Sequence, residues 1–525
     1  MLTWSRLIAN SKPCLAKLVK PCTYTHTEAS QNVTRAYIAP VTPKEAFGDV
    51  ATKDLLRGLV ALSLARTPGV ATYGGKFLDA IHRSGPRFFK DIVDSVVRRT
   101  VFAHFCAGES LDECTKNTEH LRRLGVKCLF DYAAERAPGT VLSEEDLKME
   151  EAAKEYAAEL EIETIRRACQ LGKGDFACIK ITALAVIEHL EKLNDMIVQD
   201  WKKSVDKDAS IYGYSIDPEL SFDFENLEKF KAKFSSEELR ILRNDVFRIQ
   251  RLCALAAESR VPMLIDAEHY CLQDAIEYIS MGMQKRYNTS HESFIFTTIQ
   301  CYLRDSERRE KLASFLAERF GFRLGLKLVR GAYLHYEREH ASQRNLESPV
   351  WGSISETHSS YNTIAEKEIA KVSQEKTSLI LATHNIESIR NAIKTMEQLN
   401  MRHDNEHFHF GQLYAMADAT TASLRKAGFQ VVKYIPFGPL EEVIPYLSRR
   451  LQENQDILGS TSVDMNFFYK ELYVLKQNLG CEILSVWTLL LQNSISQNEE
   501  TEKPSLEEAF RPDENPMAIK SQCIK

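Results

Sequence analysis

Eight short apolar runs, each followed by a longer segment with apolar residues at helical spacing, recur between residues 126 and 435. Strands that are buried on both faces read as continuous apolar runs, whereas strands with one wet face alternate. Eight such strands alternating with helices predict an α/β fold of the (β/α)8 TIM-like barrel type; a doubly wound open sheet is the second choice. The predicted strands are 126–132, 177–182, 262–266, 293–300, 325–331, 378–383, 407–413 and 429–435.

The barrel is expected to occupy residues 124–478, after a helical arm over residues 28–123 in which apolar and charged residues follow helical spacing. The stretch at about 190–240 is longer than a normal crossover and has no clear periodicity, which indicates an insertion. Residues 479–525 are expected to form a C-terminal helix and a polar, acidic, disordered tail.

The start of the chain has the composition of a targeting sequence. Residues 1–27 contain basic side chains, serines and threonines, and no acidic residue precedes Glu28. This is typical of a mitochondrial transit peptide, although an accidentally basic terminus has the same composition. No apolar run reaches the roughly 18 residues that a membrane-spanning helix needs, and peripheral attachment through an amphipathic helix stays open.

Composition and charge exclude several classes of function. The 67 basic and 73 acidic residues give a formal net charge of −6 without a long basic run, so no nucleic-acid partner is expected. The 12 cysteines are scattered singly, without zinc-site spacing, which fits a reducing compartment. His403, His407 and His409 cluster without the carboxylates that would complete a ligand set, so no metal is expected.

Polar side chains stand late in several of the apolar runs or just beyond them. Functional groups of a barrel project from the carboxyl ends of its strands, although a single charged residue there is usually a solvated loop residue. Lys180 and Lys327 lie between apolar residues, where an unpaired charge would be costly, and Asp266 is the expected partner. The candidate positions are Lys180, Asp266, Gln300, Lys327, Arg330, His384, Asn385 and Gln412.

A helix predicted after the eighth strand carries the segment YLSRRLQEN, in which Tyr446, Arg449, Arg450 and Glu453 lie on nearby faces. Two adjacent guanidinium groups present planar pairs of donors that suit a carboxylate or a phosphate. A surface helix in which Glu453 supports Arg449 explains the same pattern without any ligand.

Seven segments follow one another in a recognisable order: CIKITAL, LIDAEH, TIQCYLRD, KLVRGAYL, ATHN, FGQL and YIPFGPLEEVIPYLSRRLQEN. Together they make residues 120–470 similar to the proline dehydrogenase family. The resemblance implies a barrel whose last helix caps the strand ends, and non-covalent FAD without a Rossmann domain; the absence of a GxGxxG motif agrees. It also implies a place in the mitochondrial matrix or on the matrix face of the inner membrane, where peripheral association stays open.

The resemblance assigns residues to cofactor, substrate and catalysis. FAD would be held by Gln300, Lys327, Val329, Arg330, Gly331, Ala332, Tyr333, His384 and Asn385. L-Proline would contact Lys180, Leu413, Tyr434, Tyr446, Arg449, Arg450 and Glu453. The catalytic group would be Lys180, Asp266, Tyr434, Arg449 and Arg450. Asp266 and Glu135 would balance the positive charge before the substrate arrives.

The implied reaction is the first step of proline catabolism, in which a hydride passes from C5 of L-proline to flavin N5. The product is 1-pyrroline-5-carboxylate, and ubiquinone is the expected electron acceptor. Hydroxyproline is the nearest alternative substrate, but enzymes that oxidise it have a small residue where this chain has Tyr434. A barrel lyase with Lys180 or Lys327 as a Schiff-base nucleophile is the alternative from another class. A non-catalytic helical scaffold fits the eight strand runs poorly.

Overall fold

Eight parallel strands close into a barrel in which each strand pairs with the next in sequence and the last pairs with the first. The strands are β1 (Lys127–Tyr132), β2 (Phe176–Ile179), β3 (Met263–Ile265), β4 (Ile295–Gln300), β5 (Leu324–Val329), β6 (Thr377–Ala382), β7 (Phe408–Leu413) and β8 (Val431–Phe437). The predicted fold class is therefore confirmed. The largest boundary difference is at the end of β2, predicted at Thr182, because a short 3₁₀ turn begins at Ile181.

Helices surround the barrel and extend beyond it at both ends of the chain. They are α1 (Pro43–Phe47), α2 (Thr52–Arg66), α3 (Arg87–Val97), α4 (Leu111–Asn117), α5 (Glu119–Arg123), α6 (Glu144–Leu171), α7 (Ile187–Val205), α8 (Ser236–Glu258), α9 (Tyr270–Tyr287), α10 (Ser306–Phe320), α11 (Leu334–Gln343), α12 (Ile354–Ser373), α13 (Ile386–Gln398), α14 (Asp418–Lys426), α15 (Leu440–Asp456) and α16 (Leu458–Leu479). A π-helical turn (Arg98–Phe102) and a short helix (Ala103–Phe105) continue α3.

The computed structural model describes residues 41–133, 144–205 and 233–479, apart from positions 49, 173 and 457 and part of 68–84. The predicted transit peptide, Glu135 and the C-terminal tail lie outside the described residues. Helices α7 and α8 occupy the two ends of the predicted insertion, and its centre, 206–232, is likewise outside. Within the described ranges, every helix is too short or too polar to cross a lipid bilayer.

The inside of the barrel is a separate apolar cluster. Its side chains come from alternate positions of the strands: Leu129, Phe176, Cys178, Leu264, Phe296, Ile380 and Val432. The intervening strand residues, such as Phe130, Ile179 and Ile265, belong to the larger cluster that also contains helix residues. Because side chains alternate between the two faces of a strand, the residue two positions beyond each interior residue also faces inward. The apolar cluster therefore forms a floor inside the barrel, and the polar side chains at the carboxyl ends of the strands lie directly above it.

The first and last helices pack on each other. Phe47 of α1 lies against Phe467 and Phe468 of α16, with ring centroids 6.3 and 4.7 Å away. The carboxylate of Asp464, also on α16, accepts the backbone N–H groups of Asp418 and Ala419 at 3.2 and 3.1 Å. Asp464 thus caps the first turn of α14, whose own N-cap residue gives no side-chain hydrogen bond.

Candidate active site

Five side chains, two acidic, two basic and one neutral, are linked by hydrogen bonds across the carboxyl ends of the strands. The ammonium group of Lys180 donates to Asp131 at 2.5 Å and to the hydroxyl of Tyr434 at 3.1 Å. Tyr434 donates to one oxygen of Asp266 at 2.8 Å, and Lys327 donates to the other. We call these five residues the charge network. It joins strands β1, β2, β3, β5 and β8 at one level, directly above the apolar floor.

The two lysines of the charge network keep their protons. Burial alone would lower the pKa of Lys180, but the negative charges of Asp131 and Asp266 outweigh it and raise the pKa. Burial likewise opposes the charged form of Lys327, and Asp266 again raises the pKa. A Schiff-base nucleophile needs a lysine with a lowered pKa. The lyase alternative is therefore disfavoured.

Asp266 and Tyr434 of the charge network also have fixed protonation states. Burial works against ionisation of Asp266, but Lys327 and Lys180 outweigh it, so the pKa of Asp266 is lowered. Burial, followed by the charges of Asp131 and Asp266, raises the pKa of Tyr434 well above its ordinary value. Tyr434 is therefore a neutral phenol that both accepts and donates a hydrogen bond.

Asp131 is a functional candidate that the sequence analysis missed. Asp266 was the expected partner of the buried lysines, and it does pair with Lys327, whereas Lys180 pairs with Asp131. Asp131 stands second to last in the run KCLFDY, so the argument used for the lysines applied to it equally. Asp131, Cys178 and Asp266 present ligand atoms within 4.8 Å of one another, as a metal site would. The lysines already pair with both carboxylates.

Arg330 lies apart from the charge network, beyond the end of β5. Its guanidinium donates to His358 at 3.0 Å, to Thr383 at 2.6 Å and to Ser388 at 2.8 Å, and it lies 4.3 Å from the ring of Tyr361. Burial lowers the pKa of Arg330. Within the described residues no carboxylate pairs with Arg330, so this half-buried cation is placed to receive an anionic group.

Three predicted amide side chains already have structural partners. Gln300 donates to the backbone carbonyl of Glu268 at 2.8 Å. Asn385 accepts the backbone N–H of Ser388 at 2.9 Å and caps α13. Gln412 accepts a hydrogen bond from a threonine of α14, which places it between the barrel and that helix. A position near the end of a strand does not show by itself whether a side chain points into the barrel or out towards the helices. The alternation of side chains along each strand does show this.

The segment after β5 is shaped by a neighbouring ring. Gly331 has a φ of +136°, and a Cβ added there would lie 2.3 Å from the ring of Tyr302. Glycine is thus required by this contact as well as by any approach of a cofactor. Val329 and Ala332 are half-buried beside it. The ring of Tyr333 lies 4.4 Å from the ring of His269.

His384 follows β6 and offers a hydrogen-bond donor. Its Nε2 accepts the backbone N–H of Leu413 at 3.3 Å, which assigns the proton of the neutral ring to Nδ1. Burial, and then nearby positive charges that include Arg450, lower the pKa of His384 to about 3. Nδ1 is buried and has no hydrogen-bond partner within the described residues. A ligand acceptor would satisfy it.

Helix α15 brings its two arginines to the carboxyl ends of the strands. The guanidinium of Arg449 lies 5.2 Å from the ring of Tyr333, and that of Arg450 lies 4.8 Å from the ring of Tyr446. Arg450 and Tyr446 are buried and Arg449 is half-buried, so a simple surface helix does not explain them. The side chain of Glu453 is outside the described part of the structure.

Lys433 is a second residue that the sequence analysis did not single out. It lies on the opposite face of β8 from Tyr434. Its side chain is fully buried and pairs with Asp418 at 2.6 Å. It also donates to the carbonyls of Leu413 and Met416 at 3.1 and 2.5 Å. Lys433 therefore fixes the loop that follows β7, and with it the position of Leu413. The signal was a lysine inside the apolar run FQVVKYI.

Comparison with known proteins agrees with this architecture. Residues 114–463 match the family model described as Proline dehydrogenase. The chain belongs to the proline dehydrogenase family. The resemblance seen in the sequence is therefore confirmed, and the chain is an oxidoreductase of that family. The roles of individual site residues stay predictions.

Relatives named for two different substrates match the chain. Proline dehydrogenase 1, mitochondrial, of Arabidopsis thaliana is 32% identical over 437 residues, covering 81% of this chain and 84% of the relative. The protein of the same name from Dictyostelium discoideum is 30% identical, covering 82% and 72%. Hydroxyproline dehydrogenase of Xenopus laevis is 29% identical, covering 80% and 86%.

Solved structures match the fold. Proline utilization A of Bdellovibrio bacteriovorus, inactivated by N-propargylglycine, superposes with a TM-score of 0.54 at 19% sequence identity. The match covers 77% of this chain and 36% of that one, so the chain spans about a third of the length of that protein. At this identity the likeness concerns the barrel fold alone.

Proposed function

We propose that the chain oxidises L-proline to 1-pyrroline-5-carboxylate with FAD as its cofactor and ubiquinone as the electron acceptor. The observation that carries this proposal is that Arg449 of α15 lies over the ring of Tyr333, which itself interacts electrostatically with Asp266 and Asp131 of the charge network. Membership of the proline dehydrogenase family supplies the reaction class.

The strand ends fit a flavin nucleotide. The buried Nδ1–H of His384 lacks an acceptor among the described residues, and Arg330 lacks a carboxylate partner there. A flavin carbonyl and a pyrophosphate offer the matching acceptor and negative charge. FAD, when bound, would supply the acceptor for the hydride that leaves C5. The residues proposed to hold it are Gln300, Lys327, Val329, Arg330, Gly331, Ala332, Tyr333, His384 and Asn385.

The substrate carboxylate is assigned to Arg449, Arg450 and Lys180. Arginine presents parallel N–H donors in the geometry of a carboxylate, and a buried location strengthens such contacts. Leu413 and Tyr446 would line the pyrrolidine ring, and Glu453 would orient the arginines. Because the lysines of the charge network already have anionic partners, binding the substrate does not require them to change protonation state.

The amine proton of proline is the remaining proton to be moved. Lys180 and Lys327 have raised pKa values and Tyr434 stays a neutral phenol, so none of them serves as a base at neutral pH. Positive side chains near the substrate instead lower the pKa of its amine. The proton would then leave to solvent, without a dedicated base.

Tyr434 is proposed to set the preference for proline over hydroxyproline. Hydrogen bonds to Lys180 and Asp266 fix its hydroxyl, so its ring has little freedom to make room for a 4-hydroxyl group. Tyr434→Ser is expected to raise the ratio of kcat/KM for hydroxyproline to that for proline by about tenfold or more. Tyr434→Phe is the comparison: it keeps the ring but loses both hydrogen bonds, so its ratio should lie between those of the wild type and the serine variant. An unchanged ratio in the serine variant would remove this assignment.

Flavin absorbance tests the reaction directly. The purified chain is expected to be yellow, and its visible absorbance should bleach when proline is added in the absence of oxygen and quinone. A protein that stays colourless and shows no spectral change with added FAD would contradict the cofactor. Bleaching by hydroxyproline but not by proline would contradict the substrate.

Two observations support a mitochondrial location. The composition of residues 1–27 is that of an import sequence, and relatives in Arabidopsis thaliana and Dictyostelium discoideum are named mitochondrial. We place the enzyme in the mitochondrial matrix or on the matrix face of the inner membrane. The proposal that a quinone accepts the electrons rests on the resemblance to the family.

A further inference from the structure

The turn that follows β2 takes its capping acceptor from another strand. Residues 181–183 form a single 3₁₀ turn whose N-cap residue is Lys180. The first N–H groups of a helical turn have no partner inside it, and a side-chain oxygen of the N-cap residue commonly accepts one of them. Lysine offers no acceptor, and the ammonium group of Lys180 already donates to Asp131 and Tyr434. The turn therefore needs an acceptor from elsewhere.

Glu268, three residues beyond the end of β3, supplies that acceptor. One of its carboxyl oxygens accepts the backbone N–H of Thr182 at 3.1 Å, and the other accepts the hydroxyl of the same residue. Glu268 and Thr182 are each 1% exposed, so water does not compete for these contacts. Two hydrogen bonds between one carboxyl group and one residue fix both the position and the orientation of that residue. The loop after β3 thus holds the turn after β2.

The main chain of Glu268 is itself held on two sides. Its N–H donates to the side-chain oxygen of Gln273 at 3.1 Å, and its carbonyl accepts the amide of Gln300 at 2.8 Å. Gln273 belongs to α9, and Gln300 is the last residue of β4. Because these partners come from a helix and from a neighbouring strand, Glu268 is a fixed point against which the turn after β2 is held.

Glu268 also lies close to the charge network and to the proposed substrate site. Burial raises the pKa of Glu268, while the hydrogen bonds from Thr182 and the positive charge of Lys180 oppose this shift. Burial, and then the charge of Glu268, raise the pKa of Tyr333, the ring over which Arg449 lies. Among the described residues no hydrogen bond joins Glu268 to Lys180. An effect of Glu268 on the position of Lys180 therefore passes through the turn.

We infer that Glu268 is a positioning residue for Lys180. Its contact with Thr182 fixes the backbone two residues beyond Lys180 and so keeps the ammonium group between Asp131 and Tyr434. The inference rests on the proposed function, in which Lys180 binds the carboxylate of the substrate. Glu268 thereby sets the affinity for a small carboxylate that it does not touch.

Steady-state kinetics of Glu268 variants tests the inference. Glu268→Ala removes both contacts with Thr182 and is expected to raise the KM for proline at least about tenfold, because a displaced ammonium group loses its contact with the carboxylate. Glu268→Gln keeps the length of the side chain and an oxygen that accepts the Thr182 N–H, so it should restore most of the affinity. In a Lys180→Met background, Glu268→Ala should raise the KM no further. A full further increase would show that Glu268 does not act through Lys180.

A milder variant and a matched control separate positioning from folding. Thr182→Val removes only the hydroxyl contact and should raise the KM by a smaller factor; an unchanged KM would count against the inference even if Glu268→Ala does not fold. Asp245 is a fully buried acid of α8 that accepts the backbone N–H of Val186 at 3.0 Å, six residues beyond Lys180. Asp245→Ala should lower the unfolding midpoint and leave the KM unchanged. A similar rise in KM for both alanine variants would assign the effect to general damage of this connection and overturn the inference.

Chemical modification of Lys180 gives a measurement that needs no substrate. The reaction with trinitrobenzenesulfonate, followed by mass spectrometry of the peptide that contains residue 180, should be slow in the wild type because Lys180 is 4% exposed and paired. It should be several-fold faster in Glu268→Ala and unchanged in Asp245→Ala. Equal rates in all three proteins would overturn the inference. Failure of proline to bleach the wild-type flavin would instead overturn the proposed function, and the labelling rates would still decide whether Glu268 positions Lys180.

Discussion

Asp131→Ala is expected to destabilise the protein by about 3–5 kcal/mol, because it leaves the ammonium group of Lys180 buried without its closest partner. Asp131 is fully buried and Lys180 is 4% exposed, so water cannot replace the lost carboxylate. The midpoint of urea unfolding measures the loss. Asp131→Asn keeps the volume and a hydrogen-bond acceptor, and it should fall between the wild type and the alanine variant.

The double variant Asp131→Ala/Lys180→Met separates stability from function. It removes both charges together, and such apolar replacements of a buried ion pair are often neutral for stability. We expect most of the stability to return while proline turnover stays low, since Lys180 is assigned to the substrate carboxylate. A double variant as unstable as Asp131→Ala would show that the ion pair does not explain the loss.

The pH dependence of Asp131→Ala follows from the same contact. The negative charge of Asp131 helps to raise the pKa of Lys180 against the effect of burial. Without it the pKa of Lys180 falls, so the charged form disappears at a lower pH than in the wild type. Residual activity of the variant should therefore decline earlier as the pH rises, and a pH profile identical to that of the wild type would contradict the role of this pair.

Much of the barrel was predictable because each strand is buried on both faces. Such strands need continuous apolar runs, and these can be counted in a sequence without knowing how they pair. The end of β2 was placed too late because Ile181 and Thr182 continue the apolar and β-branched pattern while the backbone already turns. The apolar pattern indicates burial, and Ile181 and Thr182 are buried in the 3₁₀ turn as they would be in a strand.

The candidate site was predictable to the extent that strand ends converge. Lys180, Asp266, Lys327 and Tyr434 are brought together as expected. What the sequence could not supply is the pairing, because which lysine meets which aspartate depends on the stagger of the strands around the barrel. The expectation that Asp266 serves the buried lysines was therefore incomplete, and Asp131 escaped notice.

Other roles depend on packing that no local pattern encodes. Lys433 fixes the loop after β7 through carbonyl groups that are distant in sequence from it. The resemblance assigned Gly331 to the cofactor site, and the ring of Tyr302 requires glycine there independently of any cofactor. In both cases the sequence shows the residue type and its position in an element, but it does not show which group the residue contacts.

Arg450→Met is expected to raise the KM for proline by about 30-fold or more, since loss of a buried charged contact to a ligand typically costs about 2–5 kcal/mol. Arg449→Met should act in the same direction. Both residues belong to α15 and lie at the mouth of the barrel, Arg449 over Tyr333 and Arg450 over Tyr446. Steady-state kinetics over a wide range of proline concentration measures the effect.

Two comparisons show whether Arg450 acts through its charge and fork geometry. Arg402→Met removes a guanidinium whose side chain is 81% exposed, and it should leave the KM unchanged. Arg450→Lys keeps the charge but not the paired donors, so its KM should lie between those of the wild type and Arg450→Met. Near-normal saturation in both methionine variants of α15 would contradict the assignment. If Arg450→Met also lowers the unfolding midpoint, its lost contact with Tyr446 contributes, and the lysine variant then separates folding from substrate binding.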